Sequence, residues 1–404
     1  MVDVGAVSRP LASARRESGI ADTDNAAAIT VQAADEAALA DYEAFCREAV
    51  HGPAQHPVWV RSWIAVGNAD AIVVTVRRGG RPAFKLALEV VDKGPFRIAR
   101  FVGGSHANGN FAAFASNTAA PASPAEEKAL AAALRKARPD IDLVFLSRQN
   151  PHFLEVENPL SALATMGSPN VSLAVRLSGG FEALLERSNR KRKVKHYKKQ
   201  ISKFKQAGGF RLIEAGTPQE VERLLDAFFV LKGERLRKMG IANVFVSPQM
   251  QAFFRALFMS SLNEEEAPFV LHGLEVGGRI IAVNGLSVTN HSFVYEFSGI
   301  DDSDPTTSPG YFLNYSSIEW ACRLDKKLYD FSVGDERFKR SWADVETWQF
   351  ETLVPLGVKG RALAFYERSR AAAVRRVKSS PRLWALVKKL RARLGGEASS
   401  ATAE

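Results

Sequence analysis

The sequence predicts an α/β protein in which one arrangement of elements occurs twice, and three observations lead there. A strand, a Gly-Gly-Arg turn and a second strand occur around Gly79-Gly80-Arg81 and again around Gly277-Gly278-Arg279. Glycine at both central positions supplies the positive φ angles that a tight hairpin needs. Each hairpin is followed by a strand, a helix and a further strand, at 96–102, 123–138 and 141–147 in the first half. In the second half the third strand is 292–300, the helix starts after Ser308-Pro309-Gly310, and the next strand runs through Tyr329 to Phe331.

The remaining elements follow in order. Residues 1–35 are rich in Ala, Ser and Asp without sustained periodicity, which predicts a mobile leader. A helix over 35–50 and a short one carrying Trp59, Trp63 and Val66 precede the first hairpin. The loop 103–110 is Gly-rich but lacks the strand-to-helix position of a phosphate loop, and reads as an irregular surface loop. A helix over 181–207 is expected to end at Gly208-Gly209, where glycine can adopt the left-handed cap. Thr217 and Glu220 have capping-box spacing around Pro218, and the helix behind them buries Val221, Leu224, Leu225, Phe228 and Phe229. Another helix follows Ser247-Pro248. In the helix after Ser308, Phe312, Tyr315, Ile318 and Cys322 recur at helical spacing, with Ser308 as the expected N-cap. A last strand is expected over 348–356.

The composition narrows the function. A chain of 404 residues holds two domains of roughly 150–200 residues each. Its 46% hydrophobic and 24% charged content is that of a globular protein, and no apolar run approaches the ~18 residues of a membrane span. Arg15 and Arg16 are not followed by an apolar run, so the expected location is the cytoplasm. Cys46 and Cys322 are the only cysteines and offer neither a disulfide framework nor a metal-ligand pattern. The net charge of +10 favours anionic partners. It is concentrated in the acid-free run 187–205 and in the tail 361–393. Tyr197 and Phe204 are too few aromatics for a base-stacking platform, so the run reads as a helix steering anionic substrate. In the tail, Leu383, Val387, Leu390 and Leu394 form a stripe among Arg and Lys; such a helix suits an anionic membrane, and equally a packing or partner contact.

From residue 210 the order is strand, helix, helix, three strands, helix, strand, and it resembles the GNAT acyltransferase superfamily. Ser308 to Leu313, Ile318-Glu319-Trp320, and Tyr329-Asp330-Phe331 leading into Gly334-Asp335-Glu336-Arg337-Phe338-Lys339-Arg340-Ser341-Trp342 resemble the branch associated with bacterial cellulose and exopolysaccharide synthesis. That branch is similar to the Fem-type transferases, whose basic helix the run from Ser188 to Gly209 resembles. The resemblance implies tandem GNAT-like domains, each a mixed, mostly antiparallel sheet flanked by helices. The boundaries would be 36–175 and 176–360, with the basic helix 181–207 opening the second and a basic helical tail over 361–404. It implies an acetyl-CoA or other acyl-CoA co-substrate, no metal, and an amine or sugar-derived acceptor. The donor pyrophosphate would lie on the helix start at Pro309, Gly310 and Tyr311, where unpaired N–H groups favour anions. The superfamily's usual signature is not shown there, since one glycine is present and no Arg precedes it.

Amine acylation needs a base and an acid. The candidate bases are Glu296, on the third strand, and Asp335 or Glu336, past the fourth. Glu296 also fits the solvent-facing position of an alternating strand. Lys339, Arg340 and Arg192 are expected to hold anionic groups of donor or acceptor. Phe338 stands where the branch often has tyrosine, so the acid's place is empty or is taken by Tyr311, Tyr315 or Tyr295. Two alternatives share the fold: transfer from aminoacyl-tRNA, with the basic helix on RNA, and a non-catalytic assembly factor.

Overall fold

A computed structural model of the chain describes residues 28–67, 70–115, 120–153 and 156–380. The first half contains β1 (Ala28–Ala33), α1 (Glu36–Cys46), β2 (Ala49–Val50), α2 (Pro57–Gly67), β3 (Ala71–Arg78) and β4 (Arg81–Lys93). It continues with β5 (Phe96–Phe101), β6 (Ala113–Ala115), α3 (Pro124–Ala137), β7 (Leu143–Gln149), and the short pair β8 (His152–Phe153) and β9 (Val156–Glu157). After β10 (Met166–Arg176) come α4 (Gly180–Arg187), α5 (Arg190–Gln206), β11 (Phe210–Glu214), α6 (Pro218–Lys238) and α7 (Pro248–Ser261). The chain then forms β12 (Phe269–Val276), β13 (Arg279–Val288), β14 (Ser292–Ile300), α8 (Pro309–Arg323), β15 (Leu328–Val333), α9 (Arg337–Arg340), β16 (Val345–Pro355) and α10 (Val358–Ser379).

The main path through the large sheet runs β1-β3-β4-β5-β7-β16-β10-β15-β14-β13-β12-β11. This is a mixed, mostly antiparallel sheet flanked by helices, as expected. Both hairpins form, with φ of +54° and +77° at Gly79 and Gly80 and +55° and +81° at Gly277 and Gly278. β16 leaves the end of the chain to pair with β7 on one side and β10 on the other, so the last strand joins the halves. The strand pairs β5–β7 and β14–β15 are parallel.

Four local expectations change. Ala28–Ala33, inside the expected leader, is a strand paired with β3; residues 1–27 and the tail stripe at Leu383, Val387, Leu390 and Leu394 lie outside the described residues. The basic helix is two helices, because Asn189 takes φ +65° and its Oδ1 accepts from the Arg192 N–H, capping a new start. Ser308 precedes α8, but its hydroxyl makes no cap bond; its N–H donates to the buried Gln200 Oε1 at 2.9 Å. The last strand begins at Val345.

Alternation along β13 sorts the helices onto opposite faces. Val283 joins Phe228, Phe253, Phe254 and Phe297 under α6 and α7, a core that also takes Trp59 from the first half. Ala282 and Leu286 face the other way, towards Phe312 and Ile318 of α8. The Phe297 ring lies 4.2 Å from that of Phe228 and covers Gly285, where a Cβ would sit 2.3 Å from the ring. Phe297→Ala is expected to lower unfolding free energy by about 3–5 kcal/mol, read from the denaturation midpoint.

Candidate active site

The functional geometry starts where two parallel strands part. β14 and β15 are in register at Ser292–Leu328, Phe293–Tyr329 and Val294–Asp330, and beyond that both continue unpaired with each other. The first half has the same parting after Ile98–Leu143 and Ala99–Val144, but there the chain fills it. Asn110 bridges to Gln149, donates from Nδ2 to the Ser147 carbonyl at 2.8 Å and accepts from Gln55 Nε2 at 2.7 Å. In the second half the parting opens into a cleft of about 710 Å³. Residues from α6, on one face of the sheet, and from α8, on the other, both line it, so the cleft is walled from both faces.

A β-bulge presents the chemistry. Opposite Gly285 and Leu286 of β13 stand Phe297 and Tyr295, so Glu296 is the extra residue and both Tyr295 and Glu296 line the cleft. Glu296 accepts a hydrogen bond from the Ser287 hydroxyl. Loss of water, together with the nearby Asp330 carboxylate, pushes its pKa up to about 7. It is therefore not the solvent-facing member of an alternating strand. Asp330 is itself held above the usual carboxylate range by burial; it accepts from the Ser332 N–H at 2.6 Å and the Ser172 hydroxyl at 3.2 Å. Those bonds hold Ser332 at φ +60°, the kink that turns β15 away from β14.

The other expected residues divide. Pro309, Gly310, Tyr311, Glu336 and Lys339 line the same cleft as Glu296. Gly310 lets the first turn of α8 sit against β14, since a Cβ there would come within 2.5 Å of Ile300 Cδ1. Lys339 is buried and uses its ammonium within the fold, donating to the Val333 carbonyl at 2.8 Å and pairing with Glu336 at 3.0 Å. It clamps the end of β15 rather than presenting itself to a phosphate. Asp335 and Arg340 lie outside the cleft as an exposed pair at 2.5 Å, and Arg340 also bonds Glu346. That guanidinium keeps the Asp335 carboxyl below its ordinary range, the reverse of what a base near neutral pH requires. Arg192 is exposed on α5 and does not reach the cleft.

Among the tyrosines, Tyr315 stacks on Tyr197 at 4.0 Å outside the cleft lining, and Tyr311 donates to the Lys193 carbonyl at 3.3 Å. Tyr295 is buried at the cleft floor, bonded to Ser298 and Asn314, and burial pushes its hydroxyl up to about 12. Sequence reasoning missed Asp330 as a neighbour of Glu296, and missed Lys232, Arg235 and Asn108 in the lining. Their positions depend on long-range pairing and leave no local motif. The Asp301, Asp302 and Asp304 carboxylates before α8 are met by Arg279, Lys238 and the Thr306 N–H respectively. The Gly310 and Tyr311 N–H groups accordingly open the helix on a cleft wall whose acids are already engaged, which fits a phosphate-bearing donor. Among the described residues no cluster suits a metal ion, and no helix is long and apolar enough to cross a membrane.

Residues 190–340 match the family model described as the acetyltransferase (GNAT) domain. No curated protein sequence matches the chain. Among solved structures, the crystal structure of FemX is similar at 12% identity, covering 80% of this chain and 97% of that one with a TM-score of 0.54. L-PGS from Bacillus licheniformis is 10% identical over 90% of this chain and 98% of its own, with a TM-score of 0.48. A tandem GNAT protein from the clavulanic acid biosynthesis pathway is 11% identical, covering 82% and 99%, with a TM-score of 0.43. The FemX likeness shows the shared fold, and the family match falls on the half that holds the open cleft. Residues 190–340 thus match a GNAT-type acetyltransferase domain, which supports acyltransferase activity for the half that holds the cleft.

Proposed function

We propose that the chain is an N-acyltransferase that moves an acetyl or similar acyl group from acyl-CoA to an amine of an amino or sugar derivative. The observation that carries this is Glu296, a half-buried carboxylate pushed up to about 7 on a bulge in a cleft lined by the start of α8 on one side and by α6 on the other. The donor enters on the α8 face, with its phosphates at the Gly310 and Tyr311 N–H groups and its acyl thioester in the parting between β14 and β15. The acceptor enters on the α6 face. Glu296 takes a proton from the acceptor ammonium, and the freed amine attacks the thioester carbonyl to form a C–N bond. As the C–S bond breaks, the Tyr295 hydroxyl gives its proton to the leaving thiolate, the second proton of the attacking nitrogen restores that hydroxyl as the amide forms, and Glu296 releases its own proton to solvent. The matched halves suggest tandem domains over 36–175 and 176–360, with catalysis confined to the second because the first fills its own parting.

The finer assignment to exopolysaccharide or envelope synthesis rests on the residues from Ser308 to Trp342. A second donor is supported by one observation: Lys191, Lys195, Lys198 and Lys199 are exposed along α5 with no ion pair among the described residues. If aminoacyl-tRNA is the donor, tRNA binding will fall steeply with salt and be lost when Lys191, Lys195 and Lys198 are neutralised. The main reading is tested by incubating the protein and acetyl-CoA with cell-extract metabolites and scanning for products heavier by an acetyl group. Products are expected with the native chain and absent with Glu296→Gln; identical profiles for the two would overturn the reading.

A further inference from the structure

On the acceptor side of the cleft, two cations line the wall without a salt bridge among the described residues. On α6, Arg223 pairs with Glu275, Glu222 and Asp226 pair with Arg255, and Lys238 pairs with Asp302. Lys232 and Arg235 differ. They stand one helical turn apart, half-buried and lining the cleft, and neither forms an ion pair among the described residues. Their mutual repulsion and loss of water make this placement costly to the fold. Burial is the main reason the Lys232 ammonium is held below the ordinary lysine range, with Arg235 and Lys339 adding repulsion and Glu336 opposing it.

The neighbours add direction. Arg235 lies close enough to Tyr295 to favour its ionised form, so the cationic pair sits beside the bulge. Arg337, exposed at the start of α9, lines the same wall. From the first half, the Gly-rich loop brings in Asn108, which lines the cleft and whose Oδ1 accepts from Arg148 at 2.9 Å. Arg148 holds that loop in place through a second bond to the Ser105 carbonyl at 2.6 Å. One residue of the irregular loop thus reaches the wall of the second half's cleft.

We propose that Lys232 and Arg235, with Arg337 and Asn108, form an anion subsite for the acceptor, which is an amine that carries a phosphate or carboxylate group away from its nucleophilic nitrogen. The proposal rests on reading the cleft as an acyl-transfer site, with the donor phosphates at the other entrance. Binding the anion adds counter-charge to that of Glu336, and leaves the amine at Glu296. Both possible sources of the anion share this chemistry, and two probes separate them: inorganic pyrophosphate and glutarate.

The test uses the full chain saturated with acetyl-CoA, so that the α8 entrance is filled, and titrates each probe by calorimetry. At least one probe is expected to bind, with affinity falling at least tenfold in Lys232→Met and in Arg235→Met. Acetyl-CoA affinity is expected to stay unchanged in both, which also reports that they fold. The tighter probe identifies the anion as phosphoryl or carboxylate. Failure of both probes to bind the acetyl-CoA complex, or binding that the two substitutions leave unaltered, overturns the subsite. Absence of acetyl-CoA binding overturns the donor reading instead; a probe that still binds in a Lys232-dependent way then upholds the subsite by itself.

Discussion

Glu296→Gln is expected to lower kcat by about 10²–10⁴-fold, the range for removing a general base. Glutamine keeps the size of the side chain and an acceptor for the Ser287 hydroxyl, so the loss isolates proton transfer from packing. The native enzyme should gain activity as pH rises through about 7, where Glu296 gives up its proton, and the variant should lack that limb. The sign for stability is opposite. A carboxyl whose pKa is raised on folding binds its proton more tightly in the native state, so this group favours folding below its unfolded value, and the advantage is lost as pH rises through 7. Glu296→Gln should therefore reduce the difference in unfolding free energy between pH 5 and pH 8, measured in urea. If the rate profile of the variant keeps the same limb, another group is the base.

Tyr295→Phe is expected to reduce kcat by about 10²-fold, at the low end of the same range, with acetyl-CoA affinity unchanged. Its hydroxyl, pushed up to about 12 by burial, keeps its proton at neutral pH and has it available when the thiolate leaves. The defect should shrink with an acyl donor whose thiol is more acidic, because such a leaving group needs less help. A defect of equal size with both donors would place Tyr295 in a packing role. Tyr311 and Tyr315 are poorer choices, since one hydroxyl is tied to the Lys193 carbonyl and the other side chain lies outside the cleft.

Much of the second half was legible because its signals are local. Gly277-Gly278 specifies a turn by backbone angle alone, Pro309 marks a helix start, and Phe312, Tyr315 and Ile318 mark its buried face. Glu296 was legible as a carboxylate on the right strand. Its exposure was not, because a bulge is a mismatch between two strands and neither strand records it alone. The basic run 187–205 hid a buried side: Lys193 lies 3.7 Å over the Trp342 ring and donates to the Ser341 carbonyl, while Tyr197 and Phe204 pack against α8. Charge density masked that face. The reach of Asn108 into the second half's cleft, and the insertion of β16 between β7 and β10, join residues far apart in the chain. No window of sequence contains both partners. Asp335 and Arg340 misled for the converse reason, since neighbours in sequence paired with each other on the surface and left the cleft to residues from elsewhere.

The central claim is that the parting between β14 and β15 is where an acyl donor lies, with its phosphates on α8. Calorimetric titration of the full chain with acetyl-CoA tests it most directly. One molecule is expected to bind per chain, and Gly310→Glu, shown folded by circular dichroism, should bind at least tenfold more weakly because its Cβ meets Ile300 and shifts the first turn of α8, whose N–H groups take the phosphates, while adding a negative charge beside them. No heat from a well-folded native chain, or equal affinity in Gly310→Glu, would contradict the account.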